Sequence, residues 1–383
     1  MNKPSAEKAS ERNSPKPSRW TKLRDLFATK SAHPDKQENE KQSVADLAAG
    51  VEPTQATVLM KGAADAKPEP ADKPAGQAAH SVTVEGEAPS SSAAPGALPI
   101  VVRFSQVTKT FGQGPAAQVA LTDVTFTVED LPDTGELISI VGPSGCGKST
   151  LLRMIAGLQP HYPQTSGVIE VLGRTTDLLP SSERGLVDQK YSLFPHLTVR
   201  QNIMFGLDIR GESRSTRGDK ADIWIKKVGL EGAADKYPQE LSGGMQQRVA
   251  IAATLVLGPR ILLMDEPFGA LDPKTRLKMQ ELLVELWNEQ QSTVFIVTHS
   301  VDEAIYLGDR VFRMGARPGR LMEIMQAPRP DMPPEEMRQK KWFIDMTRDL
   351  LNRLEQDKLA TGELSSYSEF VKERNLRHSK PLS

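Results

Sequence analysis

Residues 136–158 read ELISIVGPSGCGKSTLLRMIAGL. An apolar, β-branched run gives way to small flexible residues and then to a helical pattern, the order strand, loop, helix. Within it Gly142 is followed, after four residues, by Gly147, Lys148 and Ser149, the G-x-x-x-x-G-K-[ST] spacing. Only a loop largely free of side chains lets successive backbone N–H groups wrap around phosphate oxygens, and the following helix points its positive end at the same place. Gly142, Pro143, Ser144, Gly145, Cys146, Gly147, Lys148, Ser149 and Thr150 are therefore expected to cradle a nucleotide. Lys148 is expected to reach the β- and γ-phosphates of ATP, with the Ser149 hydroxyl on Mg²⁺. A small side chain suits the Cys146 position, and a thiol near a helix N-terminus is expected to be acidic, with alkylation slowed by bound ATP.

The composition around this loop is that of a globular protein: 383 residues, 38% of them hydrophobic, enough for two ordinary domains. With 48 basic and 49 acidic residues the net charge is −1, so no global field draws the chain to nucleic acid. The single cysteine excludes an internal disulfide, and no N-terminal run has the pattern of a signal peptide. The longest apolar stretches fall short of the roughly 20 residues that span a bilayer. The expectation is a cytosolic chain; if a membrane is involved, another chain crosses it.

Residues 1–98 are rich in Ala, Pro, Ser, Lys and Glu and are expected to be mostly disordered, because such a segment cannot bury enough apolar surface to offset its ordering entropy. Within it RWTKLRDLFATK at 19–30 reads either as a transient helix in a linker or as a weak membrane or partner anchor. From Ile100 short β-branched runs alternate with helical patterns, which predicts an α/β domain at 99–325 with a mostly parallel central sheet. Strands are expected near 100–105, 119–128, 136–141, 167–171, 261–265 and 293–298, with a helical insertion over about 198–258. The tail at 326–383 places Phe343, Met346, Leu350 and Leu354 at helical spacing, as for a helix packed on its own domain.

Three further stretches carry chemistry. RILLMDEPFGALD at 260–272 reads as a buried strand that delivers Asp265 and Glu266 to its carboxyl end, where ligands of α/β sheets bind. Asp265 is expected to hold Mg²⁺ through water, and Glu266 to polarise the water that attacks the γ-phosphate. STVFIVTHS at 292–300 is another buried strand, ending in His299 beside the expected phosphates, where it can hold the γ-phosphate or the attacking water. LSGGMQQR at 241–248 is by itself an ordinary turn before a helix, and Gln189, in LVDQKYSLFPHLTVRQNI at 186–203, is by itself a polar loop residue.

The phosphate loop, Gln189, LSGGMQQR, LLMDEPFGALD and His299, in this order, resemble the ATP-binding cassette of ABC transporters over about 100–325. The resemblance implies a P-loop NTPase cassette with a mostly parallel central sheet, an antiparallel β subdomain and a helical signature subdomain. It also implies that two cassettes pair head to tail, the signature of one closing over ATP on the phosphate loop of the other. Ser242, Gly243 and Gly244 would then hold the γ-phosphate of the partner's nucleotide, with Gln246 nearby and Asp272 at the dimer seam. Phe111 matches the aromatic that stacks on adenine, and Gln189 the glutamine that senses Mg²⁺ and the membrane partner. The implied partners are a second ATP-binding subunit, transmembrane permease subunits docked near Tyr191–Asn202 and, indirectly, an extracytoplasmic solute-binding protein. The implied place is the cytoplasmic side of the inner membrane. VTHSVDEAIYLGDRVFRMGARPGRL at 297–321 resembles the nitrate, sulfonate and taurine importers, whereas LFPHLTV looks closer to polyamine and sugar importers. Two positions depart from the pattern: Asp188 replaces an aromatic and Ala253 an arginine.

The alternative is a soluble cassette ATPase uncoupled from transport. Translation factors of that kind resemble tandem cassettes, and chromosome-organising ATPases separate phosphate loop from signature by a long coiled coil for which the interval from Lys148 to Ser242 has no room. A scaffold without turnover would lack Lys148, Glu266 or His299, and all three are present.

Overall fold

A computed structural model describes residues 98–360 apart from 132–133, 176–177, 191 and 316. The expectations for the N-terminal extension, for the amphipathic stretch at 19–30 and for the chain beyond 360 lie outside the described residues.

The central sheet has six strands: β3 (Leu137–Val141), β5 (Arg184–Val187), β6 (Ile261–Asp265), β7 (Thr293–Val297), β8 (Arg310–Met314) and β9 (Leu321–Gln326). Their spatial order is β5-β6-β7-β3-β8-β9, all neighbours parallel except the final β8–β9 pair. Three of its strands, β3, β6 and β7, read as nearly unbroken apolar runs because both faces are covered. Alternate residues belong to two different cores: Leu137, Leu262, Met264, Val294 and Ile296 face the helical side. Ile138, Ile140, Leu263, Phe295 and Phe312 face the other side. There the helix α1 (Lys148–Ala156) buries Leu151, Leu152, Met154 and Ile155 beneath a three-stranded antiparallel sheet of order β2-β1-β4. That sheet comprises β1 (Ile100–Phe111), β2 (Gln118–Glu129) and β4 (Ser166–Val171).

Strand β1 runs well past the expected end at 105. A bulge between Phe104 and Val107, with Gln106 at φ 49°, restarts the pairing and carries the strand on to Phe111. Three strands are additional to those expected. β5 is a short edge strand whose Arg184 and Gly185 break the apolar run. Gly185 is required by packing, since a Cβ there would lie 2.4 Å from Thr254 Cγ2. β8 and β9 alternate apolar with charged residues, and the charges are satisfied across the fold: Arg310 binds the Glu136 carboxylate and Arg313 that of Asp357.

Helices α2 (Val199–Ile209), α3 (Arg214–Lys227) and α4 (Gly243–Leu255) occupy the interval between β5 and β6. Thr198 and Gln201 form a capping box at the start of α2. Helix α5 (Pro273–Gln290) joins β6 to β7, and α6 (Val301–Leu307) joins β7 to β8. After the short α7 (Pro334–Met337), helix α8 (Lys341–Ala360) buries Phe343 and Leu350, with Met346 and Leu354 partly covered, and packs on α6. Arg353 of α8 reaches Glu323 of β9 at 2.6 Å.

Candidate functional site

Five parallel strands end on one side of the central sheet, and each end leads into a distinctive loop: β3 into Gly142, β5 into Asp188 and Gln189, β6 into Glu266, β7 into Thr298 and His299, β8 into the connection 315–320. Strand ends of a parallel sheet are where backbone and side chains can converge on a ligand from several directions.

The loop after β3 is fitted to a phosphate. Gly145 and Gly147 adopt φ of 73° and 91°, a region that favours glycine, and Gly147 opens α1. Lys148 is buried, its ammonium donating to the carbonyl oxygens of Gly142 and Pro143 at 2.9 Å, so the charge stays at the centre of the loop. Ser144, Gly145, Gly147, Lys148, Ser149 and Thr150 line a cavity of about 570 Å³ that also receives Phe111, Glu266 and His299. Phe111 stands beside His161, edge to face at 5.5 Å, and Lys109 lies 5.0 Å over its ring. Burial, with Arg153 and Lys109 close by, pushes the His161 imidazole down to about 4, so that ring is uncharged at neutral pH.

Cys146 departs from the sequence expectation. Its side chain is buried in the core, and a Cβ at Gly142 would lie 2.9 Å from its Sγ. The thiol therefore faces away from the cavity and is closed to an alkylating reagent. Only the backbone of Cys146 is left to contribute to the cradle.

The carboxylates lie opposite. Asp265 Oδ1 accepts from the Ser149 hydroxyl at 2.9 Å, and Oδ2 lies 3.3 Å from Arg153. Burial pushes the Asp265 carboxyl above the usual carboxylate range, while Ser149 and Arg153 pull it back. Arg153 lies one turn from Ser149 on α1, a functional residue whose only signal in the sequence is that spacing. It also reaches Asp188 at 3.5 Å, and Asp188 accepts the backbone N–H of Gln189 at 2.8 Å. The unusual acid before Gln189 thus has a cationic partner and a backbone donor.

Glu266 holds φ at 49°, rare for a residue with a side chain, with its N–H donated to Val297 at 2.9 Å. The bend swings its carboxylate out of the strand to meet two groups: Gln189 Nε2 donates to Oε2 at 3.0 Å, and His299 Nε2 contacts Oε1. His299 is presented by a turn that sequence reasoning missed. Thr298 Oγ1 donates to Glu303 and accepts from the Ser300 N–H at 3.1 Å, and Gln280 donates to Glu303 at 3.2 Å. Burial pushes the Glu303 carboxyl up, which marks the depth of this support.

The signature residues do not line the cavity. Ser242 caps α4, accepting from the Met245 N–H at 3.4 Å, and is exposed, as is Gly243. Gly244 is buried, and a Cβ there would lie 2.7 Å from Thr275 Cγ2, so this glycine is needed for contact within the chain. Gln246 turns back, donating to the carbonyls of Pro238 and Leu241 at 2.8 and 3.3 Å. Asp272 caps α5 by accepting the Thr275 N–H at 3.1 Å; the side chain and backbone of Thr275 hold its carboxyl below the usual range. On another face, β5, α2 and α4 enclose a groove of about 310 Å³ lined by Asp188, Phe194, Phe205, Arg210, Ala253 and Leu257. The alanine where an arginine was expected leaves space in that groove.

The profile of the family described as ABC transporter matches residues 121–269. The aliphatic sulfonates import ATP-binding protein SsuB of Bacillus licheniformis is 41% identical over 261 residues, 68% of this chain and 95% of that one. The chain belongs to the ABC transporter family. The nitrate import ATP-binding protein NrtD of a Synechocystis species is 49% identical over 204 residues, 53% of this chain and 73% of its own. A solved dimeric ATP-binding cassette, in a post-hydrolysis state bound to ADP and Pi, superposes with a TM-score of 0.52 at 34% identity, covering 60% of this chain and 99% of that one. The protein is thus an ABC cassette that binds and hydrolyses ATP, built on a mostly parallel sheet beside an antiparallel one. No helix among the described residues is long and apolar enough to cross a membrane.

The donor set of this ABC cassette suits Mg²⁺. Ser149 and Asp265 offer hard oxygens next to Lys148, and among the described residues no group of three or more His, Cys, Asp or Glu side chains forms a cage of its own. One carboxylate and a hydroxyl, completed by phosphate oxygens and water, is how Mg²⁺ is commonly held.

Proposed function

We propose that this cassette energises an importer of small solutes such as nitrate, sulfonates or taurine, working at the cytoplasmic face of the inner membrane as a homodimer bound to permease subunits. The observation that carries the reading is the meeting of Gln189, Glu266 and His299 beside the phosphate loop, while Ser242 and Gly243 stand exposed elsewhere on the same chain. The solute class rests on the names of the sulfonate and nitrate relatives.

Gly142–Thr150 hold the phosphate chain of ATP, and Phe111 stacks on adenine. Lys148 turns from its own loop carbonyls to the β- and γ-phosphates. Ser149 and Asp265 hold Mg²⁺, which when bound neutralises charge on the phosphate oxygens. Glu266 takes a proton at its carboxylate from the attacking water. His299 and Gln189 keep that carboxylate turned toward the cavity, and His299 touches the γ-phosphate. Ser242, Gly243 and Gly244 of a second copy close over that phosphate, with Gln246 supporting the turn and Asp272 at the seam. The groove beside Asp188 receives a short helix of the permease, so that filling it moves Gln189. The extracytoplasmic solute-binding protein acts through the permease, and nucleic acid has no part.

The test is to carry tagged Glu266→Gln protein in native membranes, add ATP, solubilise, and identify what co-purifies by mass spectrometry. A multi-spanning permease is expected, and its activity with a neighbouring binding protein can be assayed against nitrate, sulfonates and taurine. Recovery of soluble proteins alone would favour a cassette uncoupled from transport.

A further inference from the structure

Arg317 and Gly319, in the connection between β8 and β9, lie against the phosphate loop. Gly319 donates its N–H to Ala120 at 3.0 Å and accepts from Thr122 at 2.9 Å, and Gly315 donates to Arg320 at 2.8 Å, so the backbone is pinned at both ends. It also presses on the loop: a Cβ at Gly319 would lie 1.9 Å from the carbonyl oxygen of Cys146. In this frame Arg317 is exposed, and its guanidinium rests over Gly145, where an added Cβ would lie 2.6 Å from Nη2. Arg317 borders the same cavity as Lys148, Ser149 and Phe111. Nearby arginines have acidic partners: Arg153 pairs with Asp265, Arg310 with Glu136, Arg313 with Asp357. Among the described residues no carboxylate pairs with Arg317.

We infer that Arg317 is a nucleotide-binding residue whose guanidinium, held over Gly145 by the pinned β8–β9 connection, clamps the α- and β-phosphates from outside the phosphate loop. The planar fork of arginine suits two oxygens of a phosphate chain better than a point charge does. Lys148 at the floor and Arg317 at the rim then meet the same polyphosphate from opposite sides. A contact at the α- and β-phosphates serves ATP and ADP alike, so it strengthens binding without distinguishing substrate from product. An arginine that was merely solvated would sit on the outer face of this connection, as Arg320 does, away from the cavity.

The inference rests on the nucleotide reading, and the experiment separates the two. Affinities for Mg-ATP and Mg-ADP are measured by calorimetry for wild type, Arg317→Ala, Arg317→Lys and Arg320→Ala, with steady-state ATPase assays alongside. Arg317→Ala should weaken both nucleotides about tenfold, the size expected for losing a charge-assisted hydrogen bond. It should raise KM by a similar factor and leave kcat nearly unchanged. Arg317→Lys should fall between, and Arg320→Ala should match wild type. Equal affinity in wild type and Arg317→Ala would overturn the inference, as would an equal loss in Arg320→Ala, which would make the effect one of net charge. Failure of the wild-type protein to bind either nucleotide would remove the nucleotide reading and this inference with it.

Discussion

The strand-end cluster and the signature turn are both polar regions beside glycine-rich loops, yet they are finished to different degrees. At the strand ends, functional groups hold one another: Glu266 is gripped by Gln189 and His299, Asp265 by Ser149 and Arg153. At the signature turn they hold their own local turns: Ser242 caps α4, Asp272 caps α5, and Gln246 ties the preceding turn. The first region has the groups of the proposed reaction positioned before any partner arrives. The second has its geometry fixed and its outward face unspent, as the proposed pairing with a second chain requires.

The sharpest way to break this comparison is to disable the finished region. Glu266→Gln should lower kcat by about a hundredfold or more, the size typical of losing a preorganised catalytic group. ATP affinity should stay near wild type, because the amide keeps the size of the carboxylate. Turnover within a few-fold of wild type would mean that the Gln189–Glu266–His299 cluster is a structural knot and that the water is activated elsewhere.

A second experiment tests the claim that the signature turn completes a site on another copy. Lys148→Ala and a charge-bearing Gly243→Asp should each abolish turnover alone. When the two proteins are mixed, half of the dimers are mixed, and each mixed dimer holds one composite site with both halves intact. The mixture should therefore recover up to about a quarter of wild-type activity. No recovery, with mixed dimers shown to form, would mean that the halves act within one chain or that both sites must fire together.

The smallest effect concerns the support beneath His299. Folding holds the Glu303 proton more tightly than the unfolded chain does, because burial raises its pKa. Raising the pH from the ordinary carboxylate value through the raised one therefore costs stability. Glu303→Gln removes the titrating group and keeps its size, with the amide oxygen accepting from Gln280 and the Thr298 hydroxyl turning to accept from the amide NH₂. Its Tm should exceed that of wild type by roughly 2 °C at pH 8, with a gap that shrinks toward pH 5. A gap independent of pH would place the effect in packing.

Much of this architecture was legible in advance, for a definable reason. β3, β6 and β7 are buried on both faces, so they appear as short apolar runs, and each ends in or within two residues of one that the site uses: Gly142, Asp265 and His299. β5, β8 and β9 were missed because their burial is one-sided or interrupted. Arg184, Arg310 and Arg313 look like surface residues until Ile155, Glu136 and Asp357 are seen to meet them. The sequence presents Cys146 as a loop thiol open to reagents; spacing alone does not say which way a side chain turns, and the core takes this one. The need for glycine at 244 is likewise visible only in the fold, where Thr275 lies in the place of a Cβ.

The sequence by itself determined the strand, loop and helix around Lys148, the acids that close a buried strand and the polar turn that opens α4, because backbone freedom and apolar periodicity are local properties. Only the tertiary structure decided that Glu266 would be held by Gln189 and His299, that Arg153 would be shared between Asp265 and Asp188, and that Arg317 would lie over Gly145. Those contacts join segments far apart in the chain, and their geometry follows from which strands became neighbours in the sheet.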